Sequence, residues 1–182
     1  GGGPPASEGM GILVAIVILL ILFGSIIAAG LPILTALIGL SAGISLVTLA
    51  ANFVNIATFG PTLAAMIGLG VGIDYALFVI NRYRQAVLAG REPKEAAIEA
   101  VNTAGRAVVL AGITVVIALG GLFVLGLSFM NGLAIGAGIT VITVMFTAVT
   151  LLPAVLSLLG RKAFAWRMPW AACCARPETA PR

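Results

Sequence analysis

Histidine is absent from the chain, and its two cysteines, Cys173 and Cys174, are adjacent. A zinc site of the His/Cys kind needs more ligands than these, and neighbouring cysteines in a basic tail do not make a disulfide framework. They read as two free thiols on the reducing side, with lipidation of a tail cysteine a weakly signalled alternative. Charge is also scarce: only 9% of the residues are charged and 61% are hydrophobic, whereas soluble domains carry about 25% charged residues. No Ser-His-Asp set, paired carboxylates or metal-ligand pattern is present, so an enzyme is not expected and no cofactor is implied. An aromatic-basic surface is missing too. The net charge of +4 therefore does not point to nucleic acid, because the basic residues sit in short segments between apolar runs. The first residue is Gly1 rather than Met, and no basic region precedes the first apolar run, which is too long for a signal-peptide core. Residues 1–9 read as a flexible linker remnant, cut from a longer protein just before a membrane span.

What the chain does contain is apolar runs of membrane length. They cover about residues 10–30, 31–51, 58–80, 108–127 and 132–159, each near the roughly 20 residues that cross a bilayer. Breaks are expected at Gly30-Leu31-Pro32, at Asn52 to Asn55 and at Ser128 to Asn131. Residues 10–160 thus form one transmembrane domain, and residues 161–182 a basic tail. Arg82 to Arg106 is the one strongly polar interior segment. Pro93 suits a first helical turn, and Ala97, Ile98, Val101 and Ala104 follow at helical spacing. This predicts an amphipathic helix between spans 3 and 4, lying at the membrane surface or, equally well, solvated as a connector.

Five spans place the two ends on opposite sides. If the Arg82–Arg106 segment is cytoplasmic, so is the tail, and every Lys and Arg lies on that side; the other side carries only Glu8. The positive-inside tendency therefore sets the N-terminus out and the C-terminus in. The expected fold class is all-α: a polytopic membrane bundle of five transmembrane helices with a cytoplasmic amphipathic helix.

One acid, Asp74, stands inside an apolar run. Inserting a carboxylate there costs roughly 2.5–3.5 kcal/mol on insertion scales, so an acid retained at that depth points to function. As a helix, the third run puts Asp74 on one face with Gly70, Phe78 and Met66 or Ile67. Ala64, Gly68, Gly72 and Ala76 form a small-residue stripe nearly opposite. A helix with a close-packing stripe on one side and an acid on the other is expected to be central. Gly68, Gly70 and Gly72 read as packing glycines; a nucleotide loop would need a preceding strand and a Lys. Asp74 reads as a proton-carrying site, against a structural polar anchor as the plainer alternative, and Tyr75 as its hydroxyl partner, against a packing aromatic. Arg82 and Arg84 read as cytoplasmic anchors at the headgroups. Thr114, Thr140, Thr143, Thr147 and Thr150 are expected to bond their own helix backbone.

The stretch Gly68-Leu-Gly-Val-Gly-Ile-Asp74-Tyr75-Ala-Leu-Phe-Val-Ile-Asn-Arg82-Tyr-Arg84 resembles the signature of MmpL-type transporters of the resistance-nodulation-division superfamily. The resemblance continues through Ala104-Gly-Arg106-Ala-Val-Val and Gly112-Ile-Thr114-Val to Leu151-Leu-Pro153-Ala, covering roughly residues 10–162. It implies the second to sixth spans of one half of a two-half, proton-driven exporter in a bacterial inner membrane. The cargo implied is lipid or another hydrophobic compound, and protons are the coupling ion. Asp74 and Tyr75 match the family's proton-relay pair, which works against the other half. The implied partners are membrane lipids, the second half and the extracytoplasmic porter domains. The alternatives are a non-transporting membrane scaffold, a sterol-sensing or Patched-like receptor bundle, and a secretion-motor relative.

Overall fold

The computed structural model describes residues 6–24, 26–54 and 58–160. Among these residues all regular structure is helical: α1 (Ala6–Phe23), α2 (Ile26–Ala50), α3 (Gly60–Leu88), α4 (Pro93–Ala100), α5 (Arg106–Gly120) and α6 (Ser128–Leu159). A π turn, Val101–Gly105, joins α4 to α5, and a 3-10 turn, Gly121–Leu125, follows α5. The chain divides into two compact units, Gly1–Leu31 with Arg161–Arg182, and Pro32–Gly160. The packing that follows lies within the second. Of the expected linker 1–9, residues 6–9 open α1 and residues 1–5 fall outside the described residues, as do the tail with Cys173 and Cys174 and Asn55 in the second connection.

Among the described residues, four helical stretches are long and apolar enough to cross a membrane: α2, α3, α6 and the continuous Pro93–Leu125. Gly9–Phe23 is a shorter apolar helix. Large apolar side chains such as Leu110, Ile113 and Ile117 of α5 stand exposed along a whole helix flank. A water-soluble chain would not carry so long an apolar face. The molecule is a multi-pass helical membrane protein.

Several boundaries differ from those the sequence suggests. The first two helices meet at Gly24, where φ is +59°, and not at Gly30-Leu31-Pro32; Pro32 sits inside α2. Glycine tolerates that left-handed backbone, whereas a proline in a membrane helix need not end it. The later junction falls at Gly126, with φ +67°, and Ser128 to Asn131 form the first turn of α6 rather than a break. The third apolar run is expected to end near Ile80, but the helix does not. Its helix runs on through Arg82 and Arg84 to Leu88, because the last turns still have a face to bury: Tyr83 and Ala86 are buried.

The expected surface helix is α4, started by Pro93 with Glu92 as an extended N-cap residue. It does not lie free. Ala96, Ala97, Ala100 and Ala104 are buried, and α4 packs on α3 and α6. Ile98, expected on the apolar face, is exposed. Through the π turn α4 continues into α5, so the connector and the fourth span form one helical stretch.

The core is a three-helix contact among α2, α3 and α6. The contact pairs Gly68 with Thr140 and Gly72 with Val144, which makes α3 and α6 parallel. Gly39 with Thr147 and Gly43 with Thr140 make α2 antiparallel to them. Thr140, fully buried, donates its hydroxyl to the Gly136 carbonyl at 2.9 Å. That bond holds the Thr rotamer, and its methyl then enters the hole between Gly43 and Gly68. The Val144 side chain fills the next hole, at Gly72 beside Ala36. Tyr83 closes the other end, its hydroxyl donating to the Leu156 carbonyl at 3.2 Å. Without a hydrophobic drive between helices in lipid, such close steric fits hold the bundle together.

Candidate functional site

Helix α3 carries two faces. Ala64, Gly68, Gly72 and Ala76 are buried, and Gly68 and Gly72 meet α2 and α6 as above. Along the opposite side Thr62, Met66, Gly70, Asp74, Phe78 and Arg82 are all exposed, one per four residues. Asp74 is therefore at the middle of an open stripe, not enclosed within this chain. Gly70 lies on that stripe too. A Cβ there would meet nothing within 4 Å, so among the described residues Gly70 packs against no neighbouring helix, unlike Gly68 and Gly72. Arg82, exposed, and Arg84, half-buried, stand near the end of α3.

Tyr75 follows Asp74 in sequence but points elsewhere, since consecutive helical residues lie about 100° apart. It is 6% exposed, and its buried hydroxyl has no hydrogen-bond partner. A buried hydroxyl left without a partner costs about 1–3 kcal/mol, so its retention calls for an explanation. The side-chain oxygen of Asn131, at the start of α6, is buried and unpartnered in the same way. The pair thus straddles the helix: the carboxylate faces outward and the phenol inward, and among the described residues no acid from a neighbouring helix meets the Tyr75 hydroxyl.

The five threonines singled out in the fourth and fifth spans bond backward. Thr114, Thr140, Thr143, Thr147 and Thr150 each donate to the carbonyl four residues earlier, at 2.6–2.9 Å. Two residues of consequence escape sequence reading, Tyr83 and Asn131. Tyr75, Val79 and Tyr83 recur every four residues and are all buried. That spacing is the signal that could have marked Tyr83 as a core residue. Asn131 carries none, since it reads as turn chemistry.

A bundle of membrane-length helices, packed through glycines and keeping an ionisable side chain at mid-span, defines a polytopic membrane protein. The chain belongs to the MMPL family, whose model matches residues 6–180. It is 49% identical over 156 residues to the Membrane protein YdfJ of Bacillus subtilis, covering 86% of this chain and 22% of that protein. It is 34% identical to the Mycolic acid-containing lipids exporter MmpL11 of Mycolicibacterium smegmatis, over 87% of this chain and 17% of the relative. A third relative, the Heme uptake protein MmpL11 of Mycobacterium tuberculosis, is 32% identical over 82% of this chain and 16% of its own length. The chain thus spans less than a quarter of the length of these relatives.

Proposed function

We propose that the chain is the membrane part of a proton-motive-force-driven exporter of lipids or other hydrophobic compounds, with Asp74 and Tyr75 as the proton relay. The observation that carries this is the open α3 stripe with one carboxylate at its centre and a buried, unpartnered phenol one residue on. Asp74 takes up and releases the proton; each charge carried across the field is worth about 2.3 kcal/mol per 100 mV. The Tyr75 hydroxyl passes hydrogen bonds into the bundle. A second helical half docks on the stripe, Gly70 giving it room beside the carboxylate, and extracytoplasmic domains handle the cargo. The N-terminus lies outside, the C-terminus inside, and the membrane is a bacterial inner membrane. Arg82 and Arg84 anchor α3 at the cytoplasmic headgroups. Lipid cargo follows the name of one relative, and another is named for heme uptake.

The test is Asp74→Asn in the full-length protein, reconstituted in vesicles under an imposed proton gradient. A pH-sensitive dye inside reads proton flux, and a fluorescent acyl lipid reads transport. The variant should insert normally and carry neither. Gradient-driven lipid movement at the wild-type rate would sink the relay. Absence of any gradient-driven flux in the unsubstituted protein would favour the scaffold reading.

A further inference from the structure

A groove lies away from the α3 stripe, between α4 with its π turn on one side and the last third of α6 on the other. It encloses about 470 Å³, within the usual range of ligand sites. Ile98, Val101, Pro153 and Ala154 make its apolar walls. Both ends are pinched. Pro93 comes against Gly160, with its Cγ 3.7 Å from where a Gly160 Cβ would stand, and Val149 comes equally close to Gly105. These two contacts run the walls antiparallel, so Lys94 shares one end with Ser157, and Asn102 shares the other with Thr150. Lys94 to Asn102 spans about 12 Å at the helical rise.

Among the described residues, Lys94 is the only charged side chain on the lining. None of Glu92, Glu95 and Glu99 belongs to the lining. Glu99 is further occupied by Arg91, whose Nε lies 2.8 Å from its carboxylate. The groove also sits at the basic end of the bundle. The Tyr83–Leu156 bond sets Arg82 and Arg84 level with Ser157. Both hydroxyls on the lining spend their protons on backbone: Thr150 on the Phe146 carbonyl and Ser157 on the Ala154 carbonyl. From a ligand, their oxygens can only accept.

We propose that this groove binds one anionic phospholipid whose headgroup carries hydroxyls. The Lys94 ammonium takes the phosphate and the Ser157 oxygen accepts from a headgroup hydroxyl. The Asn102 amide donates to an ester carbonyl deeper in, and the first methylenes of an acyl chain lie along Ile98, Val101 and Ala154. Basic pockets between membrane helices at the headgroup level are suited to such ligands. Free phosphate would leave the apolar walls uncovered, and a choline headgroup offers Ser157 no donor. The proposal is independent of the proton relay, since Asp74 takes no part.

The test titrates the full-length protein, purified in a neutral detergent, with phosphatidylglycerol, phosphatidylcholine and inorganic phosphate, reading bound lipid by native mass spectrometry. Phosphatidylglycerol should bind at least about fivefold more tightly than phosphatidylcholine, the factor one lysine near a membrane surface supplies. Lys94→Ala should erase that preference and Lys94→Arg keep it. Ala154→Phe, a substitution on an exposed wall, should fill the groove and lower retention of phosphatidylglycerol. Elution of each variant at the wild-type volume checks the fold. An unchanged preference in Lys94→Ala, wild-type retention in Ala154→Phe, or displacement of phosphatidylglycerol by equimolar phosphate would each overturn the proposal.

Discussion

Replacing Gly68 by alanine adds one methyl group at the tightest point of the bundle. The new Cβ would fall on the Thr140 Cγ2 and stand 3.2 Å from the Leu40 Cδ1. Neither neighbour gives way easily. Thr140 is fully buried, branched at Cβ, and tied by its hydroxyl to Gly136. Turning it to clear the methyl would break that bond, so α3 must move away from α6 instead. Overpacking of this kind costs about 1–3 kcal/mol. Gly70→Ala, two residues on, is the matched control. It adds the same methyl to the same helix where nothing lies within 4 Å, and helix propensity alone favours alanine by up to about 1 kcal/mol. The two variants should therefore move in opposite directions. Unfolding of the full-length protein by sodium dodecyl sulfate in mixed micelles reads the difference. Thr140→Ser removes the obstructing methyl and keeps the hydroxyl, so Gly68→Ala with Thr140→Ser should recover much of the loss. The coupling energy between contacting residues in such a cycle is about 0.5–3 kcal/mol. Equal stability of Gly68→Ala and Gly70→Ala, or no rescue by Thr140→Ser, would refute the interlocked packing.

Three further outcomes follow from single contacts. Tyr83→Phe removes a buried bond to the Leu156 carbonyl and should cost about 0.5–1.5 kcal/mol, whereas Tyr75→Phe removes a hydroxyl with no partner and should be neutral or stabilising in the same assay. Gly112→Ala meets the Sδ of Met145, the end of a flexible thioether, so it should cost less than Gly72→Ala, whose Cβ would stand 2.7 Å from the branched Val144. Gly126→Ala forces a non-glycine residue to a φ of +67° and should lower thermal stability by about 1 kcal/mol without altering the helical circular dichroism.

The helices and the α3 stripe were legible because their signals are local. Ala64, Gly68, Gly72 and Ala76 announce a packing face by spacing alone. Their partners could not be read, since Thr140 and Val144 lie 72 residues further on and look like any other span residues. The direction of Asp74 was half legible. Its separation from the glycine stripe follows from helical geometry, but whether that side is covered depends on what lies beside α3. The helix ends were least legible. Pro32 and Gly24 are both candidate breaks, and hydropathy alone does not choose between a proline that a membrane helix absorbs and a glycine that ends it. Charge misled in the same way at Arg82, where polarity ends the apolar run but not the helix, because Tyr83 and Ala86 still bury a face.

The way Thr140 and Val144 seat in successive glycine holes bears on how α3 can move. Two knobs one turn apart act as a detent. A slide of α3 along α6 has to lift both out of their holes, and the next matching register lies four residues away, about 6 Å at the helical rise. Smaller axial steps would drive the Thr140 methyl into the side chains flanking Gly68. What the contact permits cheaply is rocking about the knobs as a pivot, so any stroke coupled to Asp74 is a tilt of α3 against its neighbours rather than a piston.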